Sequence, residues 1–341
     1  MLIWAAVAVV GTAVVWKGSG LLEAASERLA QYYRLPEIVQ GAIVVAIGSS
    51  FPELATVVVS TLVHGEFELG VAAIVGSALF NIMVIPALSG LVAREQLATN
   101  RDLVYKEAQF YMIAVATLLL TFSFAVIYNP VESTGGQLQG ELTRGLAFLP
   151  LVLYVVYVFV QYQDTMDYQS DEDVSHIQPA KEWGKLAVGL LLILAGVEGL
   201  VRAAVNFGDI LGTPSFLWGI TVVAAGTSIP DAFVSVRASR KGKGITSTAN
   251  VLGSNIFDLL CCIPIGVLIA GTAVINYSVA APMMAVLTLA TLILFLMMRT
   301  HMIVSRTESW SLLLVYGGFV AWIALESFNV VNLLVNFPPG S

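Results

Sequence analysis

Ten apolar stretches run through the chain, at approximately 2–30, 37–63, 69–93, 104–128, 145–162, 184–204, 214–238, 245–271, 275–299 and 309–335, with short polar gaps between most of them. A helix needs about 17–25 residues to cross the hydrocarbon core of a bilayer. Inside that core a backbone must satisfy its own hydrogen bonds, which leaves helices or closed barrels, and continuous runs of this length select helices. The composition agrees, with 57% of residues hydrophobic and 11% charged, where a soluble domain carries about a quarter charged. A water-soluble enzyme is excluded. So is a nucleic-acid binder, because 16 Lys and Arg against 23 Asp and Glu give a net charge of −7 and no basic field. The expected fold is an all-α polytopic membrane protein of ten transmembrane helices.

If ten helices alternate, fourteen of the 16 basic residues lie on one side, from Lys17, Arg28 and Arg34 to Arg299 and Arg306. Only Arg144 and Arg202 lie on the other. The basic side faces the cytoplasm, so both termini are expected to be extracellular, with the protein in the cell membrane. The first run lacks the charged start of a signal peptide and reads as a retained span. Cys261 and Cys262 are adjacent in an apolar run and read as packing residues, with no disulfide framework.

The chain also repeats itself at an offset of 178 residues. Pro36 maps to Pro214, Gly41 to Gly219, and Gly48-Ser49-Ser50-Phe51-Pro52-Glu53 to Gly226-Thr227-Ser228-Ile229-Pro230-Asp231. With one gap, Gly76-Ser77-Ala78-Leu79-Phe80-Asn81 maps to Gly253-Ser254-Asn255-Ile256-Phe257-Asp258. The expected halves are 1–162 and 184–341, five helices each, joined by an acidic cytoplasmic linker over 163–183. Five is odd, so the second half runs inverted. Inverted repeats with paired Gly/Pro interruptions are the sequence mark of a secondary transporter with a midplane site. The linker carries Asp164, Asp167, Asp171, Glu172, Asp173 and Glu182. It has neither the glycine nor the spacing of an EF-hand loop, and reads as a solvated connection.

Glu53, Asp231 and Asp258 lie deep in spans two, seven and eight. Each charge there costs at least about 2.5 kcal/mol, and no Lys or Arg stands at matching depth. Protonated carboxyls bonded between helices would answer for one acid, but three at repeat-related positions point to bound cations. Pro52 and Pro230 lack the N–H that would reach the carbonyls of Gly48 and Gly226, so a broken helix with freed carbonyls is expected in each half. The hydroxyls of Ser49, Ser50, Thr227 and Ser228 lie beside the breaks. Ser77 and Asn81 are four apart and share a face, as do Ser254 and Asp258. All are hard oxygen donors, suited to Na+ or Ca2+ and not to zinc or copper. Three carboxylates would be neutralised by three Na+ or left at −1 by one Ca2+. Elsewhere, Glu198 and Arg202 have the spacing of a helical ion pair, while His64, Glu66 and Glu68 read as a solvated outward loop.

At these motifs the sequence resembles the calcium/cation antiporter superfamily, specifically its sodium/calcium exchangers. The resemblance implies ten helices, the first and sixth sliding across a central bundle. It also implies a calcium site centred on Glu53 and Asp231, flanked by sodium sites. Ligands would come from Ser49, Ser50, Thr227, Ser228, Ser77 and Ser254 and the main-chain oxygens of Ala46 and Ala224, with Asn81 and Asp258 lining the middle. Ca2+ and Na+ would be substrates, and neither a cofactor nor an obligate protein partner is expected. Asp231 stands where many exchangers have Glu, Ser49 where Thr is common, and Ala78 replaces the asparagine that Asn255 retains. The strings around Asn81, Asp231 and Asp258 are similar to the potassium-dependent branch, although an aspartate matching Asp258 also occurs in potassium-independent prokaryotic relatives.

The leading expectation is Na+/Ca2+ antiport, with K+ co-transport open, and the alternative is H+/Ca2+ exchange. An intramembrane aspartyl protease on Asp231 and Asp258 lacks the Gly-x-Gly-Asp signature. A channel would be separated from a carrier by saturable, counter-ion-dependent flux.

Overall fold

A computed structural model describes residues 1–33, 46–93, 96–101, 103–132, 137–163, 177–328 and 330–331. Among these, nine helices are long and apolar enough to span a membrane. The first is α1 (Leu2–Tyr32). The second span is interrupted: α2 (Ala46–Ser49) and α3 (Phe51–Leu62) are separated at Ser50, and residues 34–45 of the expected span lie outside the described residues. There follow α4 (Phe67–Val92), a π-turn over Leu103–Glu107 leading into α5 (Ala108–Tyr128), and α6 (Arg144–Gln163).

The second half opens with α7 (Pro179–Leu211), closed by Gly212 in the left-handed conformation at φ 62°. Next come α8 (Ser215–Trp218), a π-turn over Gly219–Val223 and α9 (Ala224–Arg240), then α10 (Gly244–Phe257), a π-turn over Asp258–Cys262 and α11 (Ile263–Ala270). The last two are α12 (Tyr277–Arg299) and α13 (Arg306–Ser327), the latter opened by a Ser305–Glu308 capping box. The polar gap is shorter than expected: α7 begins at Pro179 and takes in Glu182, which is buried and accepts from Lys185 Nζ (2.7 Å) and Arg28 Nη1 (3.2 Å). The expected linker acids from Asp164 to Asp173 lie outside the described residues.

Five short strands cap the bundle: β1 (Leu97–Ala98), β2 (Pro130–Val131), β3 (Gln139–Thr143), β4 (Thr272–Asn276) and β5 (Ile303–Val304). Strand β1 pairs antiparallel with β5, and β3 with both β2 and β4. The connection after the third span thus meets the one after the ninth, and the connection after the fourth meets the one after the eighth. Alternating spans put each pair on a common membrane face, so the pairings agree with the span order. The strands are absent from the sequence reading because each is short and decided by its partner.

Burial divides the helices. In the most apolar window of α4, 89% of residues are buried, and in that of α10–α11 78%, against 17% for α6 and 22% for α13. The former are the centre of the bundle, the latter its lipid-facing ring. Helices α1 and α7 cross antiparallel on glycines. A Cβ at Gly11 would stand 2.8 Å from the Gly196 carbonyl oxygen, and one at Gly18 would stand 2.9 Å from that of Gly189. In a bilayer such backbone contact drives association, because lipid gives apolar side chains no reason to hide from it. Gly11 and Gly189 are counterparts at the repeat offset, as are Gly18 and Gly196, so the two contacts exchange under a two-fold operation.

Candidate functional site

The motif helices meet where the α1–α7 pair lies against the bundle. A Cβ at Gly48 would stand 3.7 Å from Glu23 Cα of α1, and one at Gly226 2.9 Å from Thr12 Oγ1 of α1. Both motif glycines therefore sit under α1. Beneath them, Glu53 on α3, Asp231 on α9 and Asp258 at the end of α10 are all at most 2% exposed. No ion pair among the described residues includes any of the three.

Hydroxyl bridges tie the halves together around these acids. Ser77 Oγ donates to Glu53 Oε1 at 3.3 Å, which leaves Ser228 Oγ as the donor in its 2.7 Å contact with Ser77. Ser49 Oγ and Ser254 Oγ are 3.1 Å apart. Thr227 lies beside Glu53, Ser254 beside Asp231, and Ser50 beside Asp258. Thr227 Oγ1 also turns back to the carbonyl of Ala224 at 3.2 Å. Asn81 Nδ2 donates to Asn255 Oδ1 at 3.0 Å, again across the halves. The backbone of Ala46 opens α2.

What stays unpaired defines the chemistry. Glu53 Oε2, Asp231 Oδ2, Asp258 Oδ2, Asn81 Oδ1 and Ser50 Oγ are buried without a hydrogen-bond partner among the described residues. A buried polar atom left unpaired costs free energy; the Asn81 oxygen can only accept, as can each carboxylate oxygen when ionised, so what these lack is a donor or a cation. No three His, Cys, Asp or Glu side chains among the described residues converge on one point as a metal cluster. Hydroxyl and carbonyl oxygens would have to complete the shell of any ion held here. That suits weakly held alkali and alkaline-earth ions better than a locked structural metal.

The structure departs from the expected symmetric breaks. The first half is broken at Ser50 (φ −93°, ψ 9°), but α9 runs unbroken through Gly226 and Pro230. The irregularity lies upstream, in the π-turn over Gly219–Val223. Pro230 still gives Gly226 no N–H, so that carbonyl loses its donor without a break in the helix. A second π-turn begins at Asp258 itself. Such turns have no composition signal and often mark functional positions.

Other polar residues are better anchored than solvation alone suggests. His64 Nε2 lies 3.0 Å from Glu198 Oε2, and Glu198 also pairs with Arg202 as its spacing indicates. Ser215 Oγ donates to Glu66 Oε2 at 3.0 Å, and the Asn276 amide donates to Glu68 Oε1 at 3.1 Å. Cys261 and Cys262 are buried and free. The sequence reading did not single out Tyr111, which is fully buried on α5 with its hydroxyl 3.2 Å from Asn255 Nδ2. The available signal, that a buried phenol needs a partner, does not separate it from Tyr105 and Tyr128 of the same span.

Comparison with known proteins agrees with this geometry. The sodium/calcium exchanger protein family model matches residues 3–163 and 181–325. The sodium/calcium exchanger MaX1 of Methanosarcina acetivorans is 24% identical over 91% of this chain and 95% of its own. The human sodium/potassium/calcium exchanger 5 is 52% identical over 54 residues, 16% of this chain and 11% of its own. Among solved structures, the sodium-calcium exchanger NCX_Mj, soaked with Na+ and Sr2+, superposes with a TM-score of 0.63 at 22% identity, covering 94% of this chain and 99% of that one. The match to both halves, on a fold with the acids at its centre, establishes that this chain is an integral membrane protein of the sodium/calcium exchanger family.

Proposed function

We propose that the protein is a secondary active antiporter exchanging Na+ for Ca2+ by alternating access. The ions would be held among Glu53, Asp231, Asp258, Asn81, Ser49, Ser50, Ser77, Thr227, Ser228 and Ser254, with the main-chain oxygens of Ala46 and Ala224. One observation carries this reading: five buried oxygens from both halves lack hydrogen-bond partners among the described residues, and no ion pair there includes the three acids. Cations are the ligands that such a set recognises. Overlapping occupancy makes Na+ and Ca2+ exclude each other, and closing the empty site would bury uncompensated carboxylates, which discourages uncoupled return.

The α1–α7 pair, lying across Gly48 and Gly226, is the moving wall in this scheme, and the halves 1–162 and 184–341 supply one face of the site each. Both termini would be extracellular and the 163–183 connection cytoplasmic, in the cell membrane. Potassium joins as a co-ion if Asp258 stays ionised through the cycle.

The test is Ca2+ uptake into Na+-loaded proteoliposomes diluted into Na+-free buffer, with and without internal K+. Uptake that requires the outward Na+ gradient is expected. Uptake driven by a pH gradient and indifferent to Na+ would replace this reading with H+/Ca2+ exchange.

A further inference from the structure

The repeat is broken at one pair of positions beside the acids. Where the second half has Asn255, the first has Ala78. These counterparts touch: Asn255 Nδ2 donates to the Ala78 carbonyl at 3.1 Å and to the Tyr111 hydroxyl at 3.2 Å. Both N–H groups of the amide are then used, so its Oδ1 faces Asn81, which donates from Nδ2 at 3.0 Å. All four residues are fully buried.

This geometry fixes two amide orientations in sequence. The Ala78 carbonyl can only accept, so Asn255 must present its nitrogen there and its oxygen to Asn81. Asn81 must in turn present its nitrogen to Asn255. Its own oxygen is thereby turned away, and that Oδ1 is one of the buried oxygens without a partner among the described residues. The Tyr111 hydroxyl is the acceptor in its contact with Asn255, because an amide nitrogen can only donate.

We infer that Tyr111 and Asn255 are positioning residues that set the flip of Asn81, so that it offers the proposed ion site an oxygen and not an NH2. Neither would touch an ion. Removing Asn255 frees Asn81 to rotate, and removing Tyr111 leaves one Asn255 N–H unpaired, which loosens the amide that holds Asn81; an NH2 turned toward the ion repels what an oxygen would hold. The inference rests on Asn81 as a ligand in the proposed exchange, but not on which counter-ion drives it.

The experiment measures radiolabelled Ca2+ binding to the purified full-length protein, and the KM and maximal rate of Ca2+ uptake. The variants are Tyr111→Phe and Asn255→Leu, each in the wild-type and in an Asn81→Asp background. In the wild-type background, Ca2+ binding should weaken about tenfold to a hundredfold, with KM rising more than the maximal rate falls. In the Asn81→Asp background the same substitutions should cost nothing further, because a carboxylate offers oxygen whichever way it turns. Equal losses in both backgrounds would show a merely structural role and overturn the inference, as would unchanged binding in both single variants. Tyr111→Phe keeps the side-chain volume, so it decides the matter should Asn255→Leu fail to fold. Wild-type protein that binds no Ca2+ would overturn the cation-site reading and this inference together. Uptake driven by protons would overturn only the counter-ion, and the binding comparison decides the role of Tyr111 and Asn255 there too.

Discussion

In the first half the helix stops at Ser49 and restarts at Phe51, while in the second the matching residues run unbroken through α9 with Pro230 inside. Both prolines withhold the same hydrogen bond. The difference lies in what surrounds them. Thr12 and Leu200 press against Gly226, with a Cβ there meeting them at 2.9 and 3.1 Å, whereas Gly48 has its nearest described neighbour at 3.7 Å. Helix α9 stays unbroken through Gly226, and the irregularity of this half lies upstream at Gly219–Val223. A duplicated sequence therefore fixes which carbonyls lose their donors, and the neighbouring helices decide whether the backbone yields there.

The largest effect should come from the paired acids. Glu53→Gln or Asp231→Asn should each lower Na+-dependent Ca2+ uptake at least about a hundredfold, while the protein still elutes as a folded, monodisperse species. Full transport in either variant would remove that half from the site. Asp231→Glu sharpens the comparison, since it makes the halves alike at this position and should keep measurable exchange.

The α1–α7 crossing comes next. Gly18→Ala would set a Cβ 2.9 Å from the Gly189 carbonyl oxygen and 2.9 Å from Ile193 Cγ1, whereas Gly20→Ala meets nothing within 4 Å among the described residues. Overpacking of this kind costs about 1–3 kcal/mol. Thermal unfolding in detergent should separate the two substitutions, and equal melting temperatures would mean the crossing is looser than its glycines indicate.

Asn81 and Asp258 are counterparts with different charge, so their exchange tests which half sets the co-ion. Asp258→Asn should alter K+ and Na+ dependence more than Ca2+ binding, and Asn81→Asp should add a cation requirement. Flux assays over a grid of K+ and Na+ concentrations give the answer, and an unaltered co-ion dependence in both would end that assignment.

The smallest effect is expected from the prolines. Pro230→Ala restores a donor to the Gly226 carbonyl inside a continuous helix and should stabilise α9 by about 1 kcal/mol. Pro52→Ala, next to a helix already interrupted at Ser50, should do less. Melting temperatures of the two variants check the order.

Much of the candidate site was legible in the sequence, because the acids, hydroxyls and prolines recur as two strings at a fixed offset. Tyr111 was not, since nothing in its own span distinguishes it from a packing aromatic. Nor were the partners of His64, Glu66 and Glu68: Glu198, Ser215 and Asn276 lie more than a hundred residues away. Glu182 was read as part of a solvated linker because local polarity cannot reveal that Arg28 and Lys185 neutralise it on a packed helix end.

By itself the sequence determined most of the apolar helices and the identity of the buried oxygens. Transfer of an apolar run into lipid is a property of that run alone, and a carboxylate deep in one must be compensated wherever the chain goes. Only the tertiary structure decided where the backbone breaks, which strands pair with one another and how Asn81 is turned. Those outcomes depend on hydrogen bonds and contacts between residues far apart in the chain, whose geometry exists only once the helices have packed.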